Sequence, residues 1–362
     1  MKSFISFMNE WGKVILPLIF LILGASWWRY KKYLRTKNYV IQTLKKNGLA
    51  NDETRISRGK IKWPNKSVDE FKARNSLLCE LFKNPRIIDF ENRNHTIYFK
   101  EAKFPDRVPL NLRPSAIEVG RDHDNKAFSL LDFNTLMRVG TGGGKSVLLN
   151  NAIHGFYKSE RQGHFELLIS DPHQSFLRLK ELKGVDVFDV STIEEKERFL
   201  EKLKAVKQYQ QEIDLSFYET LSEAQKDGKY LDKKSYFIIV DEFSESFSNA
   251  NSKEEDYQVN QEIIGVLKDL ITSGRKFSQR MLIAYQSSLN SQALIHPSLF
   301  QAQIYGYVEG EVADAKGLPI THQLLKQSGN FYYTSKRFPA KFFRTAFIEK
   351  KELLDFLKGK TK

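Results

Sequence analysis

The chain has 362 residues, enough for about two domains with a sizeable core. With 41% apolar residues and 27 phenylalanines it is not a disordered or collagen-like chain. The single cysteine, Cys79, excludes an internal disulfide framework and any zinc site built on two thiolates. A net charge of +13 points to nucleic acid, an anionic membrane surface, or both.

Residues 14 to 28, VILPLIFLILGASWW, carry no charge. This run is short for a membrane span, but its flanks favour one. Trp11 lies on one side and Trp27, Trp28, Tyr30 and Tyr33 on the other, where interfacial aromatics gather. Lys13 can snorkel. Arg29, Lys31, Lys32, Arg35, Lys37, Lys45 and Lys46 follow with no acidic residue before Asp52. The positive-inside rule makes that side cytoplasmic, so residues 1–36 are expected to be a single-pass anchor of the cell membrane with a short N-terminus outside. A cleaved signal peptide ending near Gly24-Ala25-Ser26 and a soluble helix are the other readings.

Residues 37–66 are expected to be a linker, with a break at Trp63-Pro64-Asn65. Residues 67–114 read as a small α+β element, with a helix over 67–83 and a strand over 95–99. From residue 115 to 362 apolar runs alternate with helical patterns. The runs are 136–139, 166–170, 236–240, 281–285 and 303–308. One helix starts in a capping box at Ser191-Thr192-Ile193-Glu194 and continues to about residue 212; another covers about 257–273. The polar tract Asn249 to Glu255 reads as a surface loop. The fold class expected is α/β, with a mostly parallel sheet covered on both faces.

The decisive segment is LMRVGTGGGKSVLLN, residues 136–150: a short strand, glycines, Lys145-Ser146, then a helix start. This is the context of a phosphate-binding loop. Gly140, Thr141, Gly142, Gly143, Gly144, Lys145 and Ser146 form the candidate nucleotide site. Glycines let backbone N–H groups point at phosphate; Lys145 reaches the β- and γ-phosphates, and Ser146 offers its hydroxyl to Mg²⁺. The strict pattern wants glycine at position 139, where this chain has Val139. A glycine turn that merely resembles a phosphate loop is the plain alternative.

SYFIIVDEFSES, residues 235–246, ends a strand in Asp241-Glu242. The first carboxylate suits the Mg²⁺ shell and the second can orient the attacking water. Together with the loop about a hundred residues earlier, the pair points to a nucleotide hydrolase. Gln286, ending the 281–285 strand, is a candidate γ-phosphate sensor. Asp171-Pro172 reads as an N-cap followed by a first-turn proline. The seven histidines show no metal-ligand spacing.

This ordered set resembles the motor domain of FtsK/SpoIIIE-type DNA translocases, in the FtsK–HerA group with conjugative coupling proteins, over about residues 116–350. IEVGRDHDNKAFSLLDF (117–133), VGTGGGKSV, LLISDPH, YFIIVDEF, GRKFSQRMLIAYQSS (274–288), SGNFYYTS (328–335) and TAFIEKKEL (345–353) carry the likeness in order. Tyr285 stands where the family has Thr. The resemblance implies a RecA-like P-loop motor using ATP and Mg²⁺, assembled as a ring, a hexamer, around double-stranded DNA. It assigns Lys145 and Ser146 to ATP–Mg²⁺, Asp241 and Glu242 to Walker B roles, Gln286 to sensing and Arg275 to a trans-acting arginine finger. A solvated arginine at a helix end is the alternative for Arg275.

With no room after the last expected helix for a polarity-reading module, the expectation is a compact accessory translocase of a mobile element. It would be the membrane-anchored pump of conjugative transfer, with a relaxase or transfer-channel proteins as further partners. A phage or plasmid DNA-packaging ATPase, a non-hydrolysing membrane-tethered scaffold with a degenerate loop, and a motor with protein cargo are the alternatives. Seven of the net +13 charges lie between residues 29 and 50. The net charge is therefore expected to report mainly the membrane, and DNA binding to rest on the motor.

Overall fold

The computed structural model describes residues 37–57, 60–82, 84, 86–103, 108, 117–130, 134–159, 165–247, 254–285, 295–307, 323–348 and 350–358. The expected span at 14–28 and Gln286 lie outside these residues. Among the described residues no helix is long and apolar enough to cross a membrane. The chain divides into two compact units, Met1–Glu101 and Ala102–Lys362. The division falls at Glu101, not at residue 114. Lys103 donates its N–H to the His123 carbonyl, and Phe347 donates to that of Val108, which ties this stretch to the second unit.

In the first unit a helix over residues 37–46 (α1) is followed by β1 (Ala50–Ser57), β2 (Lys60–Pro64), α2 (Val68–Ala73), α3 (Asn75–Leu81), β3 (Ile87–Arg93) and β4 (Thr96–Glu101). The strands form an antiparallel sheet in the order β1-β2-β4-β3. The expected linker at 37–66 is corrected: it holds one helix and two strands. Its strands escape a composition reading because Ile61 is buried between two exposed lysines, Lys60 and Lys62. The single helix expected at 67–83 is two short ones, because Arg74 (φ −116°, ψ 24°) leaves helical geometry. Leu44, Leu49, Ile61, Phe71, Leu78, Ile87 and Ile97 form the core.

The second unit is one ten-stranded sheet among the described residues. Its strands are β5 (Glu118–Asp122), β6 (Ala127–Ser129), β7 (Asn134–Arg138), β8 (Phe165–Ser170), β9 (Val185–Phe188), β10 (Ser235–Val240), β11 (Arg280–Tyr285), β12 (Ala302–Tyr305), β13 (Asn330–Ser335) and β14 (Lys341–Thr345). The spatial order is β6-β5-β14-β13-β12-β7-β11-β10-β8-β9. From β12 to β9 every pairing is parallel; from β12 to β6 every pairing is antiparallel.

Both faces of the parallel half are covered, as continuous apolar strands require. Phe237 and Ile239 of β10 pack with α4 (Lys145–Ser159) and α9 (Lys350–Leu357). Tyr236, Ile238 and Val240 pack with α5 (Ile193–Gln211), α7 (Phe243–Phe247) and α8 (Glu254–Ser273). A short helix, α6 (Leu221–Lys226), precedes β10.

Two local expectations shift. The N-cap of α5 is Thr192, not Ser191, and its hydroxyl accepts the Glu195 N–H. Thr192→Ala is expected to destabilise the second unit by about 1 kcal/mol, read from urea denaturation followed by far-UV circular dichroism. Asp171 caps no helix at Pro172. Gln174, at φ +55°, folds the chain back so that the Asp171 carboxylate accepts the Phe176 N–H at 2.6 Å. Of the expected loop at 249–255, residues 254 and 255 open α8 and the rest lie outside the described residues.

Candidate active site

The parallel strands β7, β10, β8 and β11 end on the same edge of the sheet, where ligands meet such sheets. Residues 139–144 leave β7 there and enter α4. Gly142 (φ +74°) and Gly144 (φ +97°) adopt left-handed backbone that other residues rarely take. The Gly143 N–H closes a turn onto the Gly140 carbonyl at 3.1 Å. Beside Gly142 an added Cβ would meet nothing within 4 Å, so the loop is open on that side.

Val139 is fully buried, and its fit explains the departure from the glycine pattern. A Cβ at Gly143 would lie 2.6 Å from Val139 Cγ1, and one at Gly306 2.8 Å from the same atom. The valine side chain occupies space left by glycines on either side of it. Backbone bonds fasten this base: Val139 N–H to the Tyr285 carbonyl, Gly140 N–H to that of Tyr307 and Gly306 N–H to that of Arg138. Tyr285, the other departure, is buried against Phe243 with ring centroids 5.2 Å apart.

Lys145, at 9% exposure, is the first residue of α4. Its ammonium lies 2.8 Å from Asp241 Oδ1 and also donates to Glu242 Oε1. Both carboxylates are 3% exposed. Asp241 follows β10 and donates its N–H to the Ser170 carbonyl of neighbouring β8. Glu242 sits at φ +49°, and the Asp241 carboxylate accepts its N–H. That backbone turn brings two successive carboxylates onto one lysine. Burial pushes the Glu242 carboxyl above the ordinary glutamate range, and Lys145 offsets this only in part.

The sequence-predicted residues separate clearly. Gly140 to Ser146, Asp241 and Glu242 converge on this edge. Arg275 does not: it is exposed in a 3₁₀ turn (Gly274–Phe277) before β11, at the opposite end of that strand. Asp171, read only as a cap, is a buried carboxylate beside Asp241; burial first, then the Asp241 charge, raises its pKa. His173 next to it reaches Glu245 Oε2 at 3.4 Å. Gly306 and Gly329 were also missed. The Gly329 N–H donates to the Gly143 carbonyl at 3.0 Å, and a Cβ at Gly144 would lie 2.8 Å from that nitrogen. No short-range motif reveals glycines whose purpose is set by a loop far away in sequence.

Solved structures of similar fold share this architecture. The conjugation coupling protein TcpA of pCW3, in its monomer form with ATPγS, matches at a TM-score of 0.55 and 16% identity, over 90% of this chain and 100% of that one. The fold is that of an FtsK/SpoIIIE-type motor. The type VII secretion ATPase EccC of Thermomonospora curvata matches at 0.52 and 19% identity, over 66% of this chain. EccC ATPases 2 and 3 with a signal sequence peptide match at 0.52 and 17%. This chain spans only 30% and 44% of those two EccC chains. No protein-family model and no curated protein matches.

Proposed function

We propose that the chain is a membrane-anchored, ATP-driven translocase of double-stranded DNA that serves as the coupling ATPase of conjugative transfer. The observation that carries the ATPase is Lys145 held between Asp241 and Glu242 at the mouth of an open glycine loop. A lysine for the phosphates, a carboxylate for a hard cation and a second carboxylate for water are the parts of phosphoryl transfer. Likeness to TcpA over 90% of the chain supports conjugation.

In the mechanism, ATP draws Lys145 from the acidic pair onto its phosphates. Backbone N–H groups of residues 140–144 and the start of α4 cradle those phosphates. Glu242, freed of the lysine, orients a water for attack on the γ-phosphorus. The Ser146 hydroxyl and the Asp241 carboxylate are oxygen donors of the kind Mg²⁺ takes, so these residues fit the ion, which neutralises phosphate charge when bound.

Arg275 lies too far along β11 to act on its own subunit, so its proposed role requires a neighbour in a ring. Arg275→Ala is expected to lower ATP turnover more than about tenfold. Mixing Arg275→Ala with Lys145→Ala chains restores part of it, since a mixed ring contains intact junctions. No recovery on mixing removes Arg275 from catalysis.

The reading as a whole is tested by displacement of a triplex-forming strand from duplex DNA, by the full chain with ATP. Displacement that disappears in Lys145→Ala supports translocation. Likeness to EccC favours a second reading, a motor with protein cargo. ATP turnover indifferent to DNA, with no displacement, points there.

A further inference from the structure

The first unit turns one face of its sheet to solvent, and strand register decides what stands on it. Cross-strand pairs join Arg55 to Lys62, Lys62 to Thr96 and Thr96 to Arg93, so one row crosses all four strands. The next row is Ser57, Lys60, Tyr98 and Glu91, and beyond it Lys100 pairs with Asp89. The alternate residues, among them Ile61, Phe90 and Ile97, belong to the core on the other face. Arg55, Lys60, Lys62, Arg93, Tyr98 and Lys100 are exposed.

Two features separate this face from ordinary solvated surface. Arg55 stands directly opposite Lys62, a like-charge pairing that costs a sheet stability. Glu91 is held by Arg93 at 2.7 Å, and Asp89 by Lys72 at 3.2 Å and Lys100 at 3.8 Å, all toward the β3 edge. At the centre Tyr98 has the Lys60 ammonium 5.7 Å and the Arg93 guanidinium 5.9 Å from its ring centroid. Phosphates and an aromatic plane are both provided for.

We propose that this face binds a single nucleic-acid strand, with phosphates on Arg55, Lys60 and Lys62 and a base stacked on Tyr98. Cations along a groove with an aromatic among them are how single strands are held without sequence preference. Neighbouring strands about 5 Å apart put the row's cations within reach of successive phosphates. An anionic membrane uses the same charge but adds apolar side chains that enter the headgroup layer. Apart from Tyr98 the two rows contain none. The surface is independent of the ATPase reading, since no motor residue contributes to it.

The test is hydrogen exchange on the full chain in nanodiscs of neutral phosphatidylcholine, with a 20-nucleotide oligo-dT added. Residues 55–62 and 93–100 gain protection. The pair Arg55→Gln with Lys62→Gln weakens oligo-dT binding, and the salt dependence of log affinity flattens by about 1.4, at roughly 0.7 per phosphate contact. Tyr98→Ala weakens binding by about 5- to 150-fold while Tyr98→Phe retains it. ATP turnover without DNA stays unchanged, which reports intact folding. No protection together with an unchanged salt slope overturns the proposal. Protection that appears with phosphatidylserine in the disc, and not with oligo-dT, assigns the face to the membrane and overturns it equally.

Discussion

Glu242→Gln is expected to bind ATP as tightly as the parent chain, or more tightly, and to turn it over about 10²- to 10⁴-fold more slowly. The amide keeps the shape of the side chain and its buried position but cannot take a proton or polarise water as a carboxylate does. Affinity is preserved because Lys145 then leaves one carboxylate, Asp241, rather than two when phosphate arrives. The variant separates binding from chemistry. Titration with a fluorescent ATP analogue reads the first, and phosphate release under saturating ATP and DNA reads the second. Equal loss of both would mean that Glu242 shapes the site and does not act on water. Lys145→Ala is the contrasting case. It leaves two buried carboxylates without their cation, and both affinity and turnover fall.

The second large effect concerns residues that carry no chemistry. Gly306→Ala introduces a Cβ 2.8 and 3.0 Å from the two γ-carbons of Val139, in a core that has no slack. Overpacking of this kind costs about 1–3 kcal/mol. Here it is relieved by pushing the base of the phosphate loop, so ATP affinity is expected to fall by about 5- to 150-fold. Val139→Ala removes both γ-carbons and restores most of the affinity in the double variant. The added Cβ also lies 3.3 Å from the Phe331 ring, which makes recovery incomplete. A double-mutant cycle on ATP dissociation constants measures the coupling. If the two substitutions are additive, the steric account of Val139 is wrong. A coupled result shows that a chain lacking the first loop glycine keeps a working loop by having glycine at 306 and 143.

The central elements of the second unit were legible because their signals are local. The strands around 166–170, 236–240 and 281–285 are continuous apolar runs. They emerge as the central parallel strands because burial on both faces requires apolar residues at every position. Lys145, Ser146, Asp241 and Glu242 could be named because strand end, loop glycines and helix start lie within a few residues of each other. The first unit was not legible. Its hairpin over 50–64 buries few residues, its outward positions are mostly charged or polar, and such a pattern looks like a linker. In the antiparallel half β5 and β6 were likewise hidden, since the short segments at 118–122 and 127–129 become strands only by pairing with each other and with β14.

A charge of +13 was the first quantity read, and it divides differently once strand register is known. The basic run beside the apolar segment is a property of adjacent residues and needs no fold to be seen. The cationic face of the first unit is not, because Arg55, Lys62 and Arg93 are neighbours only through hydrogen bonds between strands. The same division holds at the active site. Sequence by itself named the candidate residues, because loop glycines, a lysine and paired carboxylates at strand ends stand in a recognisable order along the chain. Tertiary structure alone decided that Lys145 rests on both carboxylates, that Val139 fits because distant glycines make room, and that Arg275 lies at the far end of β11 from them. Close approach between residues far apart in the chain is set by packing, and no spacing along the chain encodes it.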